Sequence, residues 1–208
     1  MPSVSAKSMA EMMSLPGYAQ MSILASQKYP KKAPNAFRVP YYSPATAAFR
    51  AAYRAEDAHI VLMDALAKAA TKKLQHQRDN LERVIRAFDA SPQSERRLNS
   101  IRVPRIDASV GAVLLRASPD LEGQDSKGSR KVIYFHCGSL KFDAEAAKRL
   151  LEISHWIYEQ NEIDLDPAAF EMLDVSAGVL HRVKTIRPTT IKNMKSTSKL
   201  IEQLWEGL

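Results

Sequence analysis

An α+β fold is the class this chain of 208 residues predicts, and three features of its sequence predict it. No glycine or proline interrupts residues 56–91, and apolar residues there recur at helical spacing. Beyond Pro92 the pattern changes to alternation (Ile106, Ala108, Val110, Ala112, Leu114) and then to the dense run Val132, Ile133, Tyr134, Phe135; both are strand signatures. Two further helical stripes follow, one after Asp143 and one after Pro188. The pattern predicts an N-terminal helical region with one long helix, followed by a small mixed β-sheet packed with helices in the order β-β-α-β-β-α. Residues 1–98 would form the helical region and residues 99–208 the α+β part, the two packed as one unit.

Residues 5–14 read as a short, Met-rich helix, and Pro16 stands where a second begins, over residues 17–28 with Tyr18, Met21, Leu24 and Ala25 at helical spacing. Residues 29–44 hold Pro30, Pro34, Pro40 and Pro44 among Tyr29, Phe37, Tyr41 and Tyr42. Proline removes backbone donors and fixes φ, so this stretch is an extended, basic, aromatic-studded connection. Ser43-Pro44 is a helix start, and Ala47, Ala48, Ala51 and Ala52 surround Phe49 and Tyr53 in the helix that follows. Glu56-Asp57 then opens the long element. Within it Ile60, Ala67, Leu74, Leu81 and Phe88 recur every seven residues, with Met63, Ala70, Gln77 and Val84 between them. That is an a/d seam. It predicts one long helix, or two nearly collinear ones, against an antiparallel partner. The small alanines favour a partner within the chain; self-association along residues 60–88 is the alternative.

In the second half, residues 106–118 and 131–137 are the first pair of strands, separated by a polar turn region over residues 122–129. Asp143 caps a helix whose stripe is Ala147, Leu150, Leu151, Ser154 and Ile157. Residues 170–175 and 179–186 make a second hairpin around Ser176-Ala177-Gly178, and Pro188 starts the last helix, with Ile191, Met194, Ile201, Leu204 and Trp205 inward.

At 45% hydrophobic and 25% charged residues the composition is that of a globular chain, which excludes collagen-like and disordered classes. The lone Cys137 excludes internal disulfides and Cys-rich zinc motifs. No apolar run approaches the ~18–20 residues of a membrane span, and residues 1–15 do not read as a secretory signal. No membrane partner is expected, and a cytoplasmic location is. The net charge of +7 is uneven. Residues 1–54 carry seven basic residues and one acidic; residues 138–176 carry three basic and nine acidic; residues 177–208 carry six basic and two acidic.

The residues with the most chemistry lie around the first strand pair. Ser118-Pro119-Asp120-Leu121 follows an apolar strand, and fourteen residues after Asp120 comes Tyr134 in the run Val132-Ile133-Tyr134-Phe135-His136-Cys137-Gly138. Order and spacing here resemble the PD-(D/E)XK nuclease fold, in its RecB-like branch, over roughly residues 80–186. That family has a helix, a strand pair bearing a metal-binding Asp and then an acidic-x-Lys motif, a helix and a further strand. The resemblance puts Asp120 at the position of the Asp, Tyr134 and His136 at the acidic and lysine positions, and Glu82 at the helical Glu. Such nucleases need clustered carboxylates because Mg²⁺ takes hard oxygen ligands. With a phenol where the second carboxylate belongs, the resemblance implies a degenerate member that kept the scaffold without catalysis. A residual metal-dependent nuclease, with Mg²⁺ on Asp120 and a carboxylate from elsewhere, is the alternative.

Other motifs are bland. Glu152, His155, Tyr158 and Glu159 read as an ordinary polar helix face, Cys137 has no nucleophile motif around it, and no glycine-rich phosphate loop exists. Two basic elements remain. Lys192, Lys195 and Lys199 share one helical face that Arg187 introduces, and Lys28, Lys31, Lys32 and Arg38 stand among the aromatics of residues 29–44. Lys31, Lys32, Arg187, Lys192, Lys195 and Lys199 are thus the candidate phosphate contacts of a non-catalytic, nucleic-acid-associated or accessory protein, with DNA and RNA both open. A protein-interaction or assembly module is the competing class.

Overall fold

The computed structural model describes residues 1–29, 41–101 and 105–208. Its elements run β1 (Ser3–Ser5), α1 (Ala6–Met12), α2 (Gly17–Lys28), α3 (Ser43–Ala52), α4 (Ala58–Ala70), α5 (Gln75–Asp89), β2 (Asn99–Ser100), β3 (Ile106–Val110), β4 (Val113–Ala117), β5 (Leu121–Gln124), β6 (Arg130–His136), α6 (Ala144–Glu159), β7 (Phe170–Asp174), β8 (Val179–Arg182) and α7 (Pro188–Glu206). The class is α+β, as the sequence predicts.

The strands form two mixed sheets rather than one, in the orders β1-β4-β3 and β2-β5-β6-β7-β8. In the larger sheet β6 and β7 are parallel, joined through α6, and the other three pairings (β2 with β5, β5 with β6, β7 with β8) are antiparallel. Successive side chains of β6 point to opposite faces. Val132 and Tyr134 enter a core with α1, α6 and α7, whereas Ile133, Phe135 and Cys137 enter a second core with α3, α4 and α5. A strand covered on both faces reads as a continuous apolar run, which is why this one lacks alternation. The second core centres on aromatic rings: Phe49 stacks on Phe88 at 4.2 Å and meets Phe135 edge-on at 5.3 Å. Burying each such ring contributes about 1.5–3 kcal/mol.

The long helix is not one rod. It breaks after Ala70 and folds back, so that His59 Nδ1 at the start of α4 lies 3.0 Å from the Asp89 carboxylate at the end of α5. Ile60 is 66% and Leu74 55% exposed, while Leu81, Val84 and Phe88 are fully buried. The residues 60–88 seam therefore does not present one continuous face. The break has a local chemistry. The Thr71 hydroxyl donates to the Lys68 carbonyl, and the Arg78 guanidinium takes the Lys72 and Lys73 carbonyls that an unbroken helix would pair internally. Ala67, Ala70 and Gln77 leave the middle of the seam with little apolar area to offer a rod; folding back buries the α5 stripe against α3 and the sheet instead.

Residues 106–118, expected as one strand, instead hold the β3–β4 hairpin turning at Gly111, whose φ of +60° suits a residue without a Cβ. The polar stretch expected to be all turn contains β5, and its turn is confined to residues 125–129, where Asp125 Oδ1 accepts from the Lys127 and Ser129 amides. The strand β1 was invisible in the sequence: it runs parallel to β4, with Ser3 opposite Leu114. It carries α1 onto α6.

Candidate functional site

Asp120 immediately precedes β5, and both its main chain and its side chain fasten it to β6. Its amide donates to the Ile133 carbonyl at 2.9 Å, and its Oδ2 accepts from the Phe135 amide at 2.7 Å. Burial pushes the Asp120 carboxyl pKa up; the Phe135 amide and, more weakly, Lys7 and Arg50 pull it back. Two adjoining hollows meet at this residue, sharing Arg116, Ser118 and Asp120 in their walls. The larger, of about 420 Å³, is also lined by Arg50, Arg105, Ser100, Glu122 and Tyr158. The smaller, of about 250 Å³, takes Ser5 and Lys7 from the N-terminal segment, with Tyr134 and Phe135 from β6.

Tyr134 does reach the site, one residue along β6 from the amide that Asp120 holds. Its hydroxyl is turned away, into a 2.8 Å hydrogen bond with Ser154 Oγ in the middle of α6, and burial raises its pKa so that it stays a neutral phenol. His136 shares the Tyr134 face of β6. Its ring lies 5.0 Å from Phe142, and its Nε2 bonds the Leu140 carbonyl at 2.9 Å. The ring covers Gly138 so closely that a Cβ there would stand 2.6 Å from Nε2. Glu82 is elsewhere: exposed on α5, paired with Arg86 at 2.8 Å, in a groove against α4. The four candidates therefore do not converge. Asp120 and Tyr134 line the cleft, His136 packs at its edge, and Glu82 belongs to another surface.

What the sequence did not single out is the cationic wall. Lys7 comes in on α1, with its Nζ 5.2 Å over the Phe142 ring. Arg50 comes from α3, and Arg105 and Arg116 flank the β3–β4 hairpin, both within ion-pair distance of Asp107 at 2.9 and 3.4 Å. Glu11, one turn along α1 from Lys7, has its pKa raised by burial, partly offset by Lys7 and His136. No local pattern links residues 5–11 to Asp120. The link is the parallel pairing of β1 with β4, a long-range contact that no sequence window contains.

Magnesium does not fit this site. Among the described residues no group of three His, Cys, Asp or Glu side chains is placed to hold a metal ion. Asp120 stands with one oxygen already taken, and the nearest oxygen in the acidic position is the phenol aimed at Ser154. Hard cations need several oxygen ligands at once. Cys137 is 6% exposed, and burial pushes its thiol up to about 12, so it is no nucleophile.

The basic candidates fare unequally. Arg187 is committed within the fold: its Nε and Nη2 grip Glu152 at 2.7 and 3.0 Å, and its Nη1 reaches Glu145 at 2.8 Å. It is a clasp between α7 and α6 rather than a phosphate contact. Lys192, Lys195 and Lys199 are exposed and make no ion pair among the described residues. With Ser196 they rim a groove of about 610 Å³ whose apolar lining is Ile186, Pro188 and Ile191. Lys31 and Lys32 lie outside the described residues. Of the aromatics around them, Tyr29 donates to the Leu208 carbonyl and Tyr41 to the His76 carbonyl, so these hydroxyls staple the ends of the connection to the core.

The helix face expected to be an ordinary solvated one is also different. Glu152, His155 and Tyr158 are buried, with Glu152 on Arg187, His155 Nε2 on the Leu165 carbonyl and Tyr158 donating to Glu122. No helix among the described residues is long and apolar enough to cross a membrane. No protein-family model matches the chain, and no curated protein matches it.

Proposed function

We propose that the protein is a non-catalytic, nucleic-acid-associated protein on a degenerate nuclease-like scaffold, working in the cytoplasm. The observation that carries this reading is the convergence of Lys7, Arg50, Arg105 and Arg116 on the double hollow around Asp120. Four cations, from α1, α3 and the two arms of the β3–β4 hairpin, line the double hollow, with Ser5, Ser100 and Ser118 among them. Guanidinium and ammonium groups with neighbouring hydroxyls suit the oxygens of a phosphate backbone, which positions a protein without reading sequence. The succession of α5, the antiparallel pair β5–β6, α6 and β7, with β2 to β4 inserted after α5, supports the scaffold, since the nuclease family has a helix, a strand pair, a helix and a further strand in that succession. The phenol of Tyr134, turned into Ser154, supports the loss of catalysis.

The test is retention of a fluorescent oligonucleotide at low salt, offered as single strand and as duplex, DNA and RNA. Wild type is expected to bind, and Arg50→Glu combined with Arg105→Glu is expected to abolish it. Mg²⁺ should neither strengthen binding nor produce cleavage. No retention by the wild type at low salt, or Mg²⁺-dependent cleavage that Asp120→Asn removes, contradicts the proposal.

A further inference from the structure

The opposed charges of the second half are only partly spent inside the fold. Arg182 lies 2.9 Å from Glu171, and Arg187 pairs with Glu145 and Glu152. Asp174 is used up as a cap, accepting from the Phe142 and Ala177 amides. Among what remains exposed are one basic surface and one acidic surface, each with apolar residues in it. The basic surface is the lysine-rimmed groove of α7, with its apolar lining of Ile186, Pro188 and Ile191. The acidic surface is the loop that leaves α6, where Glu159, Glu162, Asp164 and Asp166 are exposed around the half-buried Ile163 and Leu165. Glu162 and Asp164 make no ion pair among the described residues, and Glu159 has only the buried His155, 3.4 Å away.

We propose that the α7 groove docks the acidic loop, residues 159–166, of a second copy of this chain. Charge complementarity carries the choice of occupant: three unpaired lysines stand around an apolar lining, and the same molecule displays four carboxylates around two apolar side chains. Ile186 and Ile191 are half-buried against the core, and a phosphate backbone would satisfy the lysines but leave the outward parts of these isoleucines and Pro188 uncovered. The loop comes already ordered, with the Ile163 amide on the Tyr158 carbonyl at 3.1 Å and the Leu165 carbonyl on His155, so little ordering cost attends docking. Because the two surfaces differ, the contact is head-to-tail, and a pair held by one such contact keeps one free groove on one copy and one free loop on the other. Such a contact is small, so the association is weak, concentration-dependent and salt-sensitive. This inference stands independently of the Asp120 cleft.

Sedimentation velocity on the whole chain tests it. At about 0.05 M salt the weight-average sedimentation coefficient is expected to rise with protein concentration, and at about 0.5 M salt to hold at the monomer value. Lys192→Ser/Lys195→Ser/Lys199→Ser alone, and Glu159→Gln/Glu162→Gln/Asp164→Asn alone, are each expected to remain monomeric at low salt. Mixed in equal amounts they should form a one-to-one pair and nothing larger, because one intact groove then meets one intact loop. All these positions are exposed, and unchanged circular dichroism melts will show that the variants fold. A wild type that stays monomeric at every concentration overturns the proposal, as does association that survives either variant. Assembly that appears only on adding a single-stranded oligonucleotide would assign the lysines to phosphate and overturn it equally.

Discussion

Arg187 grips the Glu152 carboxylate with two nitrogens, at 2.7 and 3.0 Å, and so ties the residue before α7 to the buried middle of α6. Glu152 is 1% exposed, and the Arg187 guanidinium is the cation it meets. Removing one member of a buried pair costs about 3–5 kcal/mol. Arg187 is itself partly open to water, so Arg187→Ala is expected to cost about 2–3 kcal/mol, with the loss read as a lower urea midpoint at unchanged slope. Lys192→Ala, on the exposed face of the same helix, should leave the midpoint within about 0.5 kcal/mol of wild type.

Alkaline instability is expected from the second core. Burial pushes the Cys137 thiol from 9.0 up to about 12, and the Tyr53 phenol from 10.0 also up to about 12. Between these limits the unfolded chain has lost protons that the native chain retains, so stability falls as pH rises. Urea midpoints should be level up to about pH 8.5 and decline above it. Cys137→Ala should make the early part of that decline shallower. A wild-type midpoint that is flat to pH 10.5 would count against the burial of these two groups.

The fold-back of α4 on α5 has a direct distance signature. A continuous helix would place spin labels at Ile60 and Arg86 about 40 Å apart, at 1.5 Å per residue. The antiparallel pair, with His59 on Asp89, should bring them to about half that or less, as read by double electron–electron resonance. A single population near 40 Å would restore the rod.

Gly111 turns the β3–β4 hairpin at a φ of +60°, and a Cβ there would run into the Glu202 carboxylate. Gly111→Ala is expected to cost about 1–3 kcal/mol. Glu202→Ala frees the space but leaves the strained φ, so the double variant should recover only part of the loss.

These cases show which features the sequence could reveal. Elements with their own punctuation were legible. Asp143 caps α6 through the Ala146 amide as its position before an apolar stripe implied, and Pro16 and Pro188 mark the starts of α2 and α7. Features set by distant partners were not. The heptad from Ile60 to Phe88 is a true helical periodicity, but the turn that splits it depends on Arg78 reaching back to two carbonyls. The glutamate on α6 looks solvated until Arg187, thirty-five residues later, is seen to cover it. At the candidate site, Asp120 and Tyr134 were legible through the resemblance to the nuclease strand pair, which puts them at its Asp and acidic positions. Lys7 and Arg50 were not, because β1 pairs across more than a hundred residues and α3 arrives from the far side of the sheet.

The salt dependence of oligonucleotide binding tests the central claim most directly. Fluorescence anisotropy titrations over a series of salt concentrations give the slope of log affinity against log salt, which counts the phosphates neutralised. The cleft predicts a wild-type slope of about −2 to −4, and a slope shallower by about 1 for each of Arg50→Ala and Arg105→Ala. Binding whose slope ignores both arginines, or no binding at low salt, would contradict the assignment of this cleft to nucleic acid.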